Sequence, residues 1–289
     1  MLPAAAVVQD RVGASALGPV GRGDDAVVII VGDEEIRRSD VFREMDLARP
    51  DLGEEVVRTQ VLSIMARLYA RDHGIDAPAD KLEELLGSNI AEQRARFALS
   101  AGEMVTLDEY LRVRHGLTPE VHEREMRQRV LSVMLLERSV RYDQLTAGSE
   151  ELQVILVDEE ALARDIREKI DQGASFSVLA GRHSIHESKA SGGLLPPVPP
   201  DFDVPLLDGR GAIAEGEVLG PAPITLDGID RWRLLRVVQR QAPRAVGWNE
   251  ARDEVELSLL ERQVHPDELA FFEERMIDRY RVERPGRAP

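Results

Sequence analysis

The chain contains no cysteine. That removes disulfides, thiolate metal sites and cysteine nucleophiles at once, and it suits an oxidising compartment without requiring one. Aromatic residues are scarce, at 4% of 289 residues against 31% charged, a profile of charge-covered helices more than of aromatic-rich β-sandwiches. Positive charge is in deficit: 37 Lys and Arg stand against 53 Asp and Glu, a formal net charge of −16. An excess of that sign repels phosphate backbones and anionic headgroups, so neither nucleic acid nor a membrane surface is an expected partner. No apolar run approaches the roughly 20 residues that span a bilayer, and membrane insertion is not expected. Residues 1–25 lack a basic opening, and their apolar stretch stops at Gln9-Asp10-Arg11, too short for an export signal. A disordered tail is expected there, and the localisation stays open.

What is present is organised by period. "AVVIIVGDEEI" reads as two short strands turning at Gly32-Asp33. Four helical patterns follow. The first places Val57, Val61, Ile64 and Leu68 on one face before Gly74 stops it, and the second does the same with Leu82, Leu85, Leu86 and Ile90. "TLDEYLRVRHG" is a short helix with Thr106 as a candidate cap. The last begins at Pro119 and turns Met126, Val130, Val133 and Met134 inward. Residues 26–148 thus read as a helical domain with a small hairpin. The period then changes at "LQVILV", a continuous apolar run typical of a buried strand. Two helices, a Gly- and Pro-rich stretch and the alternating strand "RWRLLRVVQR" complete a compact α+β unit over 149–242. Residues 243–289 add two amphipathic helices that are too short to stand alone in water, and the N-terminal helical domain is the surface expected to receive them.

Within 149–242 five stretches occur in order: "VILV", "GASFSVLAGRHS", "KASGGLL", "AEGEVLGPAPITLDG" and "WRLLRVV". This series resembles the parvulin-type peptidyl-prolyl isomerases, specifically the SurA/PrsA-like foldases of bacterial envelopes. Residues 26–148 and 243–289 are similar to the split helical chaperone module that flanks the isomerase domain in that family. The resemblance implies an α+β architecture, a SurA-like helical module with an inserted parvulin-like domain, and an extracytoplasmic, periplasmic-type location.

It also implies a site. Leu195 falls at the position of a pocket-lining apolar residue. Leu206 falls where the family places a proline-pocket aromatic, and Phe202 lies one turn earlier. Val154 occupies the first-strand position usually held by histidine. The second family histidine, after the last glycine of the series, falls on Ile229-Asp230, or on Arg233 when the strand anchors the alignment. Ser184 and His186 sit at polar pocket positions, and Thr225 is placed to bond a substrate carbonyl or to shape a turn. The candidate polar residues are therefore Ser184, His186, Thr225 and Asp230, and the candidate substrate-binding residues are Val154, Leu195, Phe202 and Leu206. As a metal pair, His183 and His186 have only Glu187 as a nearby third ligand, short of a zinc site; no metal and no cofactor are expected.

With both family histidines replaced, three functions stay open. The first is a foldase or holdase that binds unfolded or proline-containing clients and has weak or lost isomerase activity. The second is a fully active prolyl isomerase. The third is a non-catalytic scaffold for one dedicated partner, acting as a homodimer through exposed apolar grooves.

Overall fold

The computed structural model describes residues 27–31, 34–101, 105–115 and 117–282. The expected tail over 1–25 and the Gly32-Asp33 turn lie outside them. Two units divide the chain. One takes the residues up to Glu54, Val140–Val246 and everything from Glu261; the other takes Glu55–Ser139 and Gly247–Leu260. Among the described residues no helix is long and apolar enough to cross a membrane.

The first unit opens with the hairpin β1 (Val27–Val31) and β2 (Glu34–Arg37), paired antiparallel with Val31 opposite Glu34. Helix α1 (Arg38–Ala48) follows. The centre of this unit is a three-stranded antiparallel sheet of β3 (Ser149–Val157), β5 (Ile229–Gln241) and β4 (Val218–Leu226), in that spatial order. Side chains alternate across such a sheet, and each face carries its own core. Ile155, Val157 and Leu234 meet α6 (Glu160–Asp171) and α7 (Phe176–His183) through Ile166, Phe176 and Leu179. Ser175 caps α7 by accepting from the Val178 N–H. Leu152, Val154, Leu235 and Val237 face the other way, towards the pocket described below. The unit closes with α9 (Pro266–Tyr280).

The second unit is helical. It is built from α2 (Pro50–His73) from Glu55 onward, α3 (Ala79–Ala101), α4 (Leu107–His115), α5 (Pro119–Ala147) as far as Ser139, and α8 (Trp248–Glu261) as far as Leu260. The Thr106 hydroxyl accepts from the Glu109 N–H while the Glu109 carboxylate takes the Thr106 N–H and hydroxyl, a capping box at the start of α4. Met65, Ala66, Tyr69 and Ala70 form the buried stripe of α2, whereas Ile64 is 46% exposed. The stripe is rotated one position from the branched-residue face read in the sequence. α8 is fixed to this unit by the Trp248 indole N–H donating to Asp76 at 2.7 Å, by Arg252 pairing with the same carboxylate, and by the forked Arg138–Glu256 pair at 2.7 and 2.8 Å.

Candidate functional site

The face of the sheet turned away from α6 and α7 is roofed by the irregular chain between Leu194 and Ile213. The first part of this segment runs beside β3 like an added edge strand. Val154 N–H donates to Gly193 O, Leu195 N–H to Leu152 O, and Glu150 and Val198 exchange both backbone bonds. Gly193 is required here: its φ is +83°, and a Cβ would lie 2.6 Å from the Val154 carbonyl oxygen. Beyond Val198 the chain has little regular structure, and its carbonyls still need donors. Two buried arginines supply them. Arg210 donates to the carbonyls of Pro200 (3.0 Å) and Phe202, and its Nε is 2.7 Å from the Glu150 carboxylate. Glu150 also accepts from Arg240 at 2.8 Å. Arg233, on the central strand, donates to the carbonyls of Pro205 (3.0 Å), Leu206 (2.6 Å) and Asp208 (2.9 Å). The loop is thus hung from the sheet by guanidinium forks, whose fixed geometry can hold several carbonyls at once.

Held this way, the loop leaves a cavity of about 200 Å³. That is smaller than the ~300–1,000 Å³ clefts of drug-sized ligands and suits a single ring. Its apolar lining includes Leu195, Phe202, Leu206 and Leu226, and α9 adds Ala270 and Phe271. The Phe202 and Phe271 rings lie 4.4 Å apart at 54°, a close tilted contact just under the ~4.5–7 Å separation of favourable aromatic pairs. Polar groups also reach the cavity: His186 and the carboxylates of Glu187, Asp227, Asp267 and Glu274.

The wall from α9 is firmly seated. His265 and Glu268 form a capping box at its start, and the buried Glu268 carboxylate also pairs with Arg262 (2.7 Å) and Arg141 and accepts from Gln144 (2.8 Å). Burial alone would raise its pKa. Arg262, the His265 N–H, Gln144 and Arg141 outweigh that and hold Glu268 below the ordinary glutamate value. Further along, Arg275 bonds Asp143 at 2.7 Å and approaches Asp201 of the roof loop at 3.5 Å.

His186 is buried at the cavity edge. Its Nδ1 accepts the Ser188 N–H at 3.1 Å and meets the Ser188 hydroxyl at 2.8 Å, which places the proton of the neutral ring on Nε2. Burial pushes its pKa down, and Glu187 pulls against that. Asp267 is raised first by burial, with His265 opposing and the neighbouring negative charges of Glu187 and Glu268 adding to the rise.

The residues singled out from the sequence divide into four groups. Leu195, Phe202, Leu206 and His186 line the cavity together. Val154 is fully buried in the floor cluster with Leu152 and Leu235. Ser184 is 1% exposed, and its hydroxyl accepts the Leu156 and His186 N–H groups at 3.2 Å each; it fixes the turn that presents His186. Thr225 and Asp230 face each other across the β4–β5 hairpin, the threonine hydroxyl donating to the carboxylate at 2.7 Å, and neither borders the cavity. Sequence reasoning did not find Phe271, the acidic group or the Glu150–Arg210 clamp. An arginine that serves loop carbonyls leaves no spacing signal, whereas the adjacent Phe271-Phe272 pair was visible as an apolar excess. Among the described residues no group of three or more metal-ligating side chains is present.

No protein-family model matches the chain. Among curated proteins, the foldase protein PrsA of a Geobacillus species is 24% identical over 275 residues, covering 92% of this chain and 91% of its own. Solved structures with similarity include the peptidylprolyl isomerase PrsA of Bacillus cereus (16% identity, 90% of this chain and 94% of that one, TM-score 0.30) and PrsA of Bacillus subtilis (14% identity, 90% and 95%, TM-score 0.31). Together with the five ordered motifs, the end-to-end similarity to PrsA supports a parvulin-type, SurA/PrsA-like foldase.

Proposed function

We propose that the protein is an extracytoplasmic folding factor whose sheet unit takes up proline-containing segments of unfolded polypeptides, with isomerase activity that is weak at most. The observation that carries this reading is the ring-sized apolar cavity at Leu195, Phe202, Leu206 and Phe271, kept open by arginine-clamped backbone. In this reading residues 149–242 are a parvulin-like domain inserted into a helical module, which α8 of the 243–289 segment re-enters while α9 stays with the sheet unit. The fixing of α8 through Asp76 and Glu256 supports that re-entry. The helical unit exposes Leu99 (90%), Val113 (78%) and Leu260 (83%), apolar groups suited to holding non-native chain. The extracytoplasmic placement draws on the PrsA similarity and a cysteine-free sequence; fractionation of cells carrying the tagged chain tests it, and recovery in the cytosolic fraction would refute it.

Rotation about a prolyl amide meets a barrier set by amide resonance, about 18–20 kcal/mol. An enzyme lowers it by binding the twisted geometry better than the planar one. An apolar seat for the ring and a dry carbonyl contribute, and each tenfold needs about 1.4 kcal/mol. What the twisted state further requires is donors preorganised around it. Here Val154 has no polar side-chain atom, and the terminal nitrogens of Arg233 are engaged by loop carbonyls. Among the polar side chains lining the cavity, only His186 offers a donor when the carboxylates are ionised. Recognition is therefore retained while acceleration is poor.

Fluorescence anisotropy with a labelled Ala-Pro peptide and its Ala-Ala counterpart tests the recognition. Selective binding of the proline form is expected, and equal affinity for the two would remove the pocket reading. A protease-coupled assay on the Ala-Pro peptide should show less than about a tenfold increase over the uncatalysed rate at micromolar protein. A rate typical of dedicated isomerases would overturn the weak-activity part alone.

A further inference from the structure

The carboxylates at the cavity have few cationic partners. Several acids around the roof loop are matched: Glu150 with Arg210 and Arg240, Asp143 and Asp201 with Arg275, and Glu268 with Arg141 and Arg262. At the cavity, Glu187, Asp227 and Glu274 make no side-chain hydrogen bond or ion pair among the described residues, and Asp267 has only His265, at 3.5 Å. None of the lining residues is Lys or Arg. The four acids come from three separate segments: the turn after His186, the β4–β5 hairpin tip and α9. Apart from His186, the other residues lining the cavity are apolar.

We propose that this site selects prolines flanked by lysine or arginine, the ring entering the apolar cavity and the neighbouring cation lying among Glu187, Asp227, Asp267 and Glu274. The inference rests on the pocket reading given above and adds the substrate class to it. A cation next to the seated ring would relieve the mutual repulsion of these carboxylates. An acidic or phosphorylated neighbour would add to that repulsion, so selection operates by exclusion as well as attraction. Because Glu187 and Asp227 are exposed and Asp267 and Glu274 are half-buried, each contributes a modest, salt-sensitive share. Together they should favour Lys-Pro over Ala-Pro by about threefold to tenfold and over Glu-Pro by more than about tenfold at low salt. The preference should shrink several-fold near 0.5 M salt, where screening acts within roughly 4–5 Å.

The test uses the full chain and four labelled peptides that differ at two positions: Lys-Pro, Ala-Pro, Glu-Pro and Lys-Ala, titrated at low and high salt. The expected order is Lys-Pro, then Ala-Pro, then Glu-Pro, with Lys-Ala weak. Equal binding of the three proline peptides would overturn the charge selection and leave the pocket intact. Lys-Ala binding as well as Lys-Pro would instead overturn the pocket reading itself, leaving bare electrostatic adhesion. The triple variant Glu187→Gln, Asp227→Asn and Glu274→Gln alters only unpaired side chains, and asparagine tolerates the left-handed backbone at position 227 (φ 53°). It should lose most of the Lys-over-Glu preference; a preference as large as in the parent chain would refute the assignment to these acids.

Discussion

Replacing Arg210 by alanine should release the loop that forms the cavity. Arg210 is 8% exposed and reaches Glu150 at 2.7 Å, the Pro200 carbonyl at 3.0 Å, the Phe202 carbonyl and, more distantly, the Leu207 carbonyl at 3.4 Å. Alanine leaves Glu150 paired with Arg240 alone and strips at least two loop carbonyls of their donor. A buried group without a partner costs about 1–3 kcal/mol, so the rigid limit exceeds 3 kcal/mol. The loop can instead open to water, which caps the loss at about 2–4 kcal/mol and drops Tm by roughly 5–15 °C for a unit of this size. The local signature is more telling than the melt. Amide hydrogen exchange should accelerate across 194–210 while the α6 and α7 amides keep their protection, and Ala-Pro peptide affinity should fall at least about tenfold. Arg210→Lys retains the charge but loses the fork, and should fall between the two. An Arg210→Ala protein with parental exchange in 194–210 and parental peptide affinity would refute the clamp.

Phe271→Ala removes a cavity wall and the ring partner of Phe202. A stability loss of about 2–4 kcal/mol is expected by denaturant titration, with weakened proline-peptide binding; unchanged binding would mean α9 is not part of the site. Gly193→Ala forces a Cβ to 2.6 Å from the Val154 carbonyl oxygen in a left-handed backbone and should cost about 2–3 kcal/mol in urea midpoint terms. The pH dependence centres on Glu268. Its folded pKa is depressed, so its stabilisation is complete above the unfolded value of about 4.3 and is lost as pH falls through the lower folded value. The Tm gap between the parent and Glu268→Gln should therefore be widest near neutrality and narrow below about pH 4; a gap constant from pH 3 to 7 would contradict it.

The strands of the sheet differ in how visibly they were written. β3 and β5 announce themselves by continuous and alternating apolar residues, since both are buried against cores. β4 carries Pro221 and Pro223 and reads as irregular chain. It is nonetheless a strand because it lies at the sheet edge, where a missing N–H breaks no second ladder. Apolar stripes in the C-terminal helices said that each must be covered, not by what: α8 joins the helical unit, whereas Phe271 of α9 joins the cluster beneath the roof loop. In the site, Leu195, Phe202 and Leu206 were legible through the resemblance alone. Glu150, Arg210 and the α9 acids are brought in by tertiary contacts across 60 or more residues, for which local pattern holds no record.

Proline recognition at this site requires the ring to enter between the roof loop and α9. Intermolecular NOEs from the ring protons of a bound Ala-Pro peptide to the methyl- and aromatic-labelled full chain test it most directly. Contacts to Leu195, Phe202, Leu206 and Phe271 are predicted. Contacts confined to the helical unit, at residues such as Leu99 or Val113, would contradict it.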